Sequence, residues 1–370
     1  MKNLLEGVEE ILLMGPGPSC VPTEVYESLQ RKTIGHLDPY FLEIIEDLKG
    51  MLRKLLNTGN EVTIPISGTG SAGMEACFVN LVEPGDRVLI LINGVFGQRM
   101  REVATRFGAH VDSLEFPWGT PVILEDVEKK IRETTYRIVA VVHAETSTGV
   151  LNPVAEIGKI LSGKDTIYLV DTVTSLGGTE VRMHDWNIDA LYSGTQKCLS
   201  CPPGLAPLSF SEKAMAKLNG RKTKVPNWYL DLSLIHNYWG QNRVYHHTAP
   251  INMLYGLYQA LYCILQEGTE KVFARHRQSH LALVEGLEGM GLRMLVEKQY
   301  RLPMLNTVYS PEGVDELSVR KQLRSDYKIE IGGGLGPLAG KIWRIGLMGH
   351  TARRDNVDRF LDALRTILGK

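Results

Sequence analysis

Apolar and polar positions follow one another along the chain in two distinct rhythms. Short continuous apolar runs, Val88–Ile92, Ile138–Val142 and Thr166–Val170, each give way to polar or glycine-rich residues. Uninterrupted runs of this length suit strands buried on both faces, as in a parallel sheet covered by helices. Between them lie stretches of helical spacing, Leu124–Arg132 and Val154–Leu161. The expected architecture is α/β, a mainly parallel sheet covered by helices, with ligands gathering outside the carboxyl ends of the strands.

The pattern changes after about residue 265. A helical stretch Glu270–Leu287 is followed by a strand-like Leu302–Tyr309, a helix Glu316–Tyr327, a strand Lys341–Leu347 and a last helix. That last helix carries a stripe of Val357, Phe360, Leu361, Leu364, Ile367 and Leu368. The expected division is an N-terminal arm (1–20) leading into a large domain (21–264), then a smaller C-terminal α/β domain (265–370). A chain of 370 residues is too long for one compact core, which agrees with such a division.

Composition narrows the function classes. Apolar residues make up 44% and charged residues 22%, with a net charge of −1, so no general electrostatic attraction to nucleic acid or an acidic membrane is expected. Five cysteines, an odd number, argue against a disulfide framework. Cys198 and Cys201 form a lone C-x-x-C without a second cysteine pair or a histidine pair at ligand spacing, so packing thiols are expected and no metal. The N-terminus acquires Glu6 too early for a signal peptide, and no apolar run is long enough to cross a bilayer. A cytoplasmic protein is expected.

Candidate chemistry collects where strands end. Val88–Ile92 runs into Asn93-Gly94-Val95-Phe96-Gly97, and Ile138–Val142 into His143-Ala144-Glu145-Thr146-Ser147-Thr148-Gly149. Asp171 follows Thr166–Val170, and Ser193-Gly194-Thr195-Gln196-Lys197 follows Ile188–Tyr192. Four such ends on one edge of a sheet make a site. Ser67-Gly68-Thr69-Gly70-Ser71 opens a helix marked by Met74, Cys77, Phe78, Leu81 and Val82, so its free amides can cradle a phosphate. The same segment reads as a tight turn before a core helix, and it lacks the ending of a nucleotide P-loop. Asp171 reads as a strand-end carboxylate, or as the partner of a protonated pyridine nitrogen. Lys197 reads as a solvated surface lysine or, since it stands among glycine, proline and cysteine rather than other charges, as a partly desolvated amine whose lowered pKa suits an imine-forming nucleophile. Arg344, in the apolar strand Lys341–Leu347, suits a structural ion pair or two-pronged capture of a substrate carboxylate. The adjacent imidazoles of Tyr245-His246-His247-Thr248 fit phosphate contacts or packing better than a metal.

These stretches resemble the class V aminotransferases of the pyridoxal-phosphate (PLP) fold type I, within them most closely the alanine–glyoxylate and serine–pyruvate enzymes. The resemblance runs from Gly15-Pro16-Gly17-Pro18 to Arg344-Ile345-Gly346 and is most specific in DTVTSLGG (171–178) and SGTQKCLSCPPG (193–204), with GGGLGPLAGKIWR (332–344) adding to it. It implies that Lys197 is the lysine that holds the cofactor as an imine and that Asp171 pairs with the pyridinium. It implies phosphate contacts from Thr69, Gly70, Ser71 and Gln196, and from Tyr245 and Thr248 of a partner subunit, hence a homodimer with shared sites. Thr146 matches a hydroxyl near the cofactor ring oxygen, Arg344 the substrate-carboxylate arginine, and Gly15 a backbone position in the substrate pocket. Phe96 stands where some relatives stack a tryptophan on the ring, and Ser71 where some have histidine.

The implied reaction is ping-pong transfer of the amino group of alanine or serine to glyoxylate or pyruvate, with Lys197 moving the proton. Other chemistries on the fold are weaker fits. A desulfurase needs a mobile-loop cysteine, and none follows Cys263. A phosphonate-substrate transaminase is harder to separate, because one arginine meets either anion. A non-catalytic subunit keeping the fold as a binding module is disfavoured by the intact Lys197, Asp171 and phosphate set.

Overall fold

The computed structural model describes residues 3–240 and 243–370; the first two residues of the arm lie outside it. Seven strands form the main sheet: β1 (Val62–Ser67), β2 (Arg87–Ile92), β3 (His110–Glu115), β4 (Ile138–Val142), β5 (Ile167–Asp171), β6 (Ala190–Tyr192) and β7 (Leu205–Phe210). Their order is β1-β7-β6-β5-β4-β2-β3. The run from β6 to β3 is parallel throughout, and β7 alone is antiparallel to its neighbours. Every residue of β4 and β5 is buried, as continuous apolar runs covered by helices on both faces require. The expected α/β sheet is therefore present, with β5 displaced by one residue so that Asp171 is its last member.

Two helices fix the geometry of the sheet's carboxyl edge. Gly70–Leu81 follows β1, and Val95–Arg106 follows β2. The first is buried well beyond the stripe its spacing predicts, because segment 230–232 covers it: Asn80 donates to the Leu230 carbonyl at 2.7 Å and accepts from the Leu232 amide at 2.9 Å.

A second core is built from the C-terminal part of the chain. Strands β8 (Leu305–Tyr309), β9 (Gly332–Gly333) and β10 (Ile342–Gly346) form an antiparallel sheet in the order β8-β10-β9. Helices Thr269–Gly289, Glu316–Asp326 and Arg354–Leu368 supply Leu287, Leu323, Phe360 and Leu364, which pack against Val308 and Ile345. Trp343 is fully buried, and its indole N–H donates to the Glu316 carbonyl at 3.1 Å, so its one polar atom is satisfied.

The N-terminal arm differs from its sequence reading. Rather than running straight into the large sheet, Leu12–Leu13 pairs in parallel with Ile329–Glu330, and Leu12 and Met14 join the C-terminal core. The reason lies in its side chains: alternate apolar residues find an apolar face beside β10, and Gly346 donates to the Met14 carbonyl at 2.7 Å. Only then does the chain cross to the main sheet. Among the described residues, no helix is long and apolar enough to cross a membrane.

Candidate active site

The carboxyl ends of β1, β4, β5 and β6 open onto one cavity, closed on a further side by the helix Val95–Arg106. At one end lie Thr69, Gly70 and Ser71, the start of the helix Gly70–Leu81. Thr69 offers no side-chain cap there, and its carbonyl takes the Ala72 amide at 2.8 Å. The positive end of the helix dipole therefore faces the cavity. Gln196 lines the same space, and its side-chain oxygen is buried with no hydrogen-bond partner among the described residues. A buried polar atom in that state is costly unless a ligand completes it.

At the other end is Asp171, only 4% exposed. One carboxylate oxygen accepts from the Val173 amide at 2.8 Å and the other from the Tyr192 hydroxyl at 2.7 Å. Burial pushes its carboxyl up to about 6, against the pull of those two donors and of the charges on Lys197 and Arg99. A buried carboxylate whose charge is only partly offset is a ready acceptor for a cationic N–H from a bound ring.

Between these ends stands Lys197. Its ammonium donates to the Pro16 carbonyl of the arm, and burial lowers it to about 8. The arm also grips the lysine's own backbone: the Ser19 amide donates to the Gln196 carbonyl at 2.9 Å and its hydroxyl to the Lys197 carbonyl at 2.7 Å. Gly17 permits this approach. Its φ of 104° is left-handed, and a Cβ there would sit 2.3 Å from the lysine nitrogen.

Phe96 and Thr146 supply further walls of the cavity. Arg344 is 7% exposed; its Nε donates to the Gly333 carbonyl at 2.6 Å and one Nη to the Thr146 carbonyl at 3.3 Å. Two backbone carbonyls thus fix the plane of the guanidinium, while burial lowers it to about 10. Gly15 lies against β10, so close that a Cβ on Gly346 would sit 1.9 Å from its carbonyl oxygen.

Of the sequence-derived site residues, Arg344 and Gly15 stand beside this cavity rather than in its lining, and Tyr245 and Thr248 do not line it either. The latter two are exposed, Tyr245 at 61%. Their segment is fastened to the end of β1 by His247, whose Nε2 lies 3.0 Å from the Ser67 hydroxyl. Conversely, sequence reasoning missed Tyr192 and Arg99 as cavity residues. Tyr192 was legible in principle, since it ends the strand beside Asp171 and pairs with it in register. Arg99 lies one helical turn beyond Phe96, with its guanidinium 5.1 Å from that ring. Cys198 and Cys201 are free and buried.

The cavity therefore suits a planar ring with an anionic group toward the helix start, a basic nitrogen toward Asp171 and an electrophilic carbon within reach of an amine. PLP carries these groups. The model of the aminotransferase class-V family matches residues 12–360. The (S)-ureidoglycine–glyoxylate transaminase of Bacillus subtilis is 40% identical over 96% of this chain and 90% of its own. The alanine–glyoxylate aminotransferase of Drosophila melanogaster is 39% identical over 95% and 91%. The crystal structure of the alanine–glyoxylate aminotransferase of Nostoc sp. superposes with a TM-score of 0.95 over the whole of both chains, at 45% identity. The chain belongs to the class V aminotransferases, enzymes that use PLP to exchange the amino group of an amino acid for the oxo group of an oxo acid.

Proposed function

We propose that this transaminase takes the amino group of a small amino acid, alanine or serine, and delivers it to glyoxylate or pyruvate. The observation that carries the reading is Arg344, held by two backbone carbonyls beside the cavity that contains Lys197. A guanidinium fixed in this way binds a carboxylate through two parallel hydrogen bonds and orients the carbon next to it. The names of the relatives point to the same acceptor, since glyoxylate appears in both.

The bound cofactor supplies an electron sink and a carrier for the amino group. The chain's own residues do the rest. Lys197 would hold the cofactor, and its Nζ is placed to move the proton of a substrate Cα. Asp171 would keep a proton on the ring nitrogen. Thr69, Gly70, Ser71 and Gln196 would bind the phosphate, Thr146 and Phe96 would help to hold the ring, and Gly15 would border the substrate. Tyr245 and Thr248 reach the phosphate of a second copy, which makes the enzyme a homodimer. Residues 21–264 form the cofactor domain and 265–370 the smaller domain that brings Arg344, with residues 1–20 an N-terminal arm. The site of action we propose is the cytoplasm.

The lowered pKa of Lys197 has a kinetic signature. Only the neutral amine attacks an aldehyde, so attachment of PLP to stripped protein should quicken tenfold per pH unit and level off near pH 8. Stopped-flow absorbance from pH 6 to 9.5 measures this; a rate still climbing at pH 9.5 contradicts a desolvated lysine.

A second donor, ureidoglycine, is favoured by the 40% identical relative named for it. A half-reaction screen separates the readings: amino acids including alanine, serine and ureidoglycine against the PLP form, and oxo acids against the pyridoxamine form. Repeated on Arg344→Lys, the same screen should show donor and acceptor binding weakened by about tenfold or more, since the two-pronged contact is lost while charge is kept. Unaltered affinities would remove Arg344 from the substrate site.

A further inference from the structure

Glu145 is fully buried two strand ends away from the cofactor lysine, yet it has no assigned role. Its carboxylate has collected donors from two separate segments. One oxygen accepts from the Ser147 amide at 3.0 Å and the Ser147 hydroxyl at 2.5 Å. The other accepts from the Phe96 amide at 3.2 Å. Phe96 stands in the first turn of the helix Val95–Arg106, whose own cap residue, Gly94, has no side chain to offer. The Val95 amide is taken by the Ser147 hydroxyl at 2.9 Å. The free amides of this helix are thus satisfied from a distant strand end rather than locally. Gly94 makes room for the arrangement: its backbone is extended, so the need is for space, and a Cβ would lie 2.4 Å from both the Glu145 carboxyl carbon and the Ser147 hydroxyl.

The consequence reaches three walls of the cavity. Phe96 lines it from the capped helix, and Thr146 lines it from the residue next to Glu145. The Thr146 carbonyl in turn holds Arg344. We propose that Glu145 is a positioning residue that sets Phe96 and Thr146 against the cofactor and, through the Thr146 carbonyl, sets the plane of Arg344. This rests on the reading of the cavity given above. Burial, reinforced by the charge of Asp171, pushes the Glu145 carboxyl up to about 7, so the site keeps a costly group for its geometry. Both oxygens face donors, so an amide cannot take its place without turning an N–H toward another N–H or O–H.

Glu145→Gln therefore tests the idea with little change of volume. In the holoenzyme variant, cofactor affinity should fall by about tenfold to a hundredfold, the scale on which misplaced supporting groups act. The visible circular dichroism of the bound cofactor should weaken, and the donor KM should rise. A lowered melting temperature with cofactor affinity, dichroism and KM all unchanged would make Glu145 a helix cap only and overturn the proposal. Ser147→Ala, which removes one donor to the same carboxylate, decides the matter if Glu145→Gln does not fold: a smaller shift in the same three readouts supports the proposal, and none overturns it. Phe96→Ala separates this idea from the reading beneath it. If Phe96→Ala leaves affinity and dichroism untouched, the placement of Phe96 on the ring fails, and the proposal with it. If Phe96→Ala moves them while Glu145→Gln does not, only the positioning role is lost.

Discussion

Lys197→Ala should yield a folded protein that binds PLP without covalent attachment and turns over at least roughly four orders of magnitude more slowly, the combined loss of a nucleophile and a general acid/base. The fold should survive, because the lysine side chain reaches only the Pro16 carbonyl and the loop is held by backbone contacts to Ser19. Reduction of the wild-type holoenzyme with borohydride, followed by peptide mapping, gives the direct check. A tag on any lysine other than Lys197 would refute the assignment. Residual turnover within about a hundredfold of wild type would leave another base to find.

The second large effect concerns sharing of the site between subunits. Tyr245 and Thr248 are exposed and do not line their own cavity, and their segment is anchored through His247 to Ser67 at the end of β1. If they serve a partner's phosphate, Tyr245→Phe/Thr248→Ala should weaken cofactor retention by at least about a hundredfold, since each charge-assisted hydrogen bond contributes roughly 1.5–3 kcal/mol. At limiting cofactor this double variant and Lys197→Ala are both inactive. Mixed under subunit exchange, they form heterodimers in which one site collects both defects and the other none. Activity should return to about a quarter of wild type, because half the dimers are mixed and each has one intact site of two. A mixture that exchanges subunits, shown by mass spectrometry, yet stays inactive would rule out the shared site.

How much of this was legible depended on local chemistry. The strand Ile138–Val142 could be read directly because it is buried on both faces and carries no polar interruption. β1 and β7 could not, because each contains a proline, Pro65 and Pro207, which argues against a central strand. The structure resolves the conflict by setting the two prolines opposite each other in an antiparallel pair, with β1 at the edge of the sheet. β3 escaped notice for a different reason: as the other edge strand it is only half-buried, and its apolar Val111 and Leu114 are separated by Asp112 and Ser113. Within the site, Asp171, Lys197 and the Thr69–Ser71 turn stood out because each breaks an apolar pattern at a strand end. Glu145 sat in a quoted segment but gave no signal of its own. Apart from its neighbour Ser147, its donor is the Phe96 amide, nearly fifty residues upstream, and only the parallel sheet brings the two together.

The reversed direction of β7 has a consequence for how this region can change. A parallel connection must in the end leave the carboxyl edge and cross to the other end of the sheet before the next strand begins. Because β7 runs back from the edge where β6 ends, all of residues 193–204 stay there, tied down by Gly68 to Gly204 at 2.9 Å and Thr195 to Leu205 at 3.3 Å. The distance along the chain from Tyr192 to Lys197, and from Lys197 to Leu205, is therefore as constrained as the lysine itself. A single inserted or deleted residue in this loop would carry the amine away from Asp171 while leaving every catalytic side chain present. The turn leading from the helix Val95–Arg106 into β3, at the opposite margin of the sheet, brings no residue to the cavity, so a change of its length leaves the site in place.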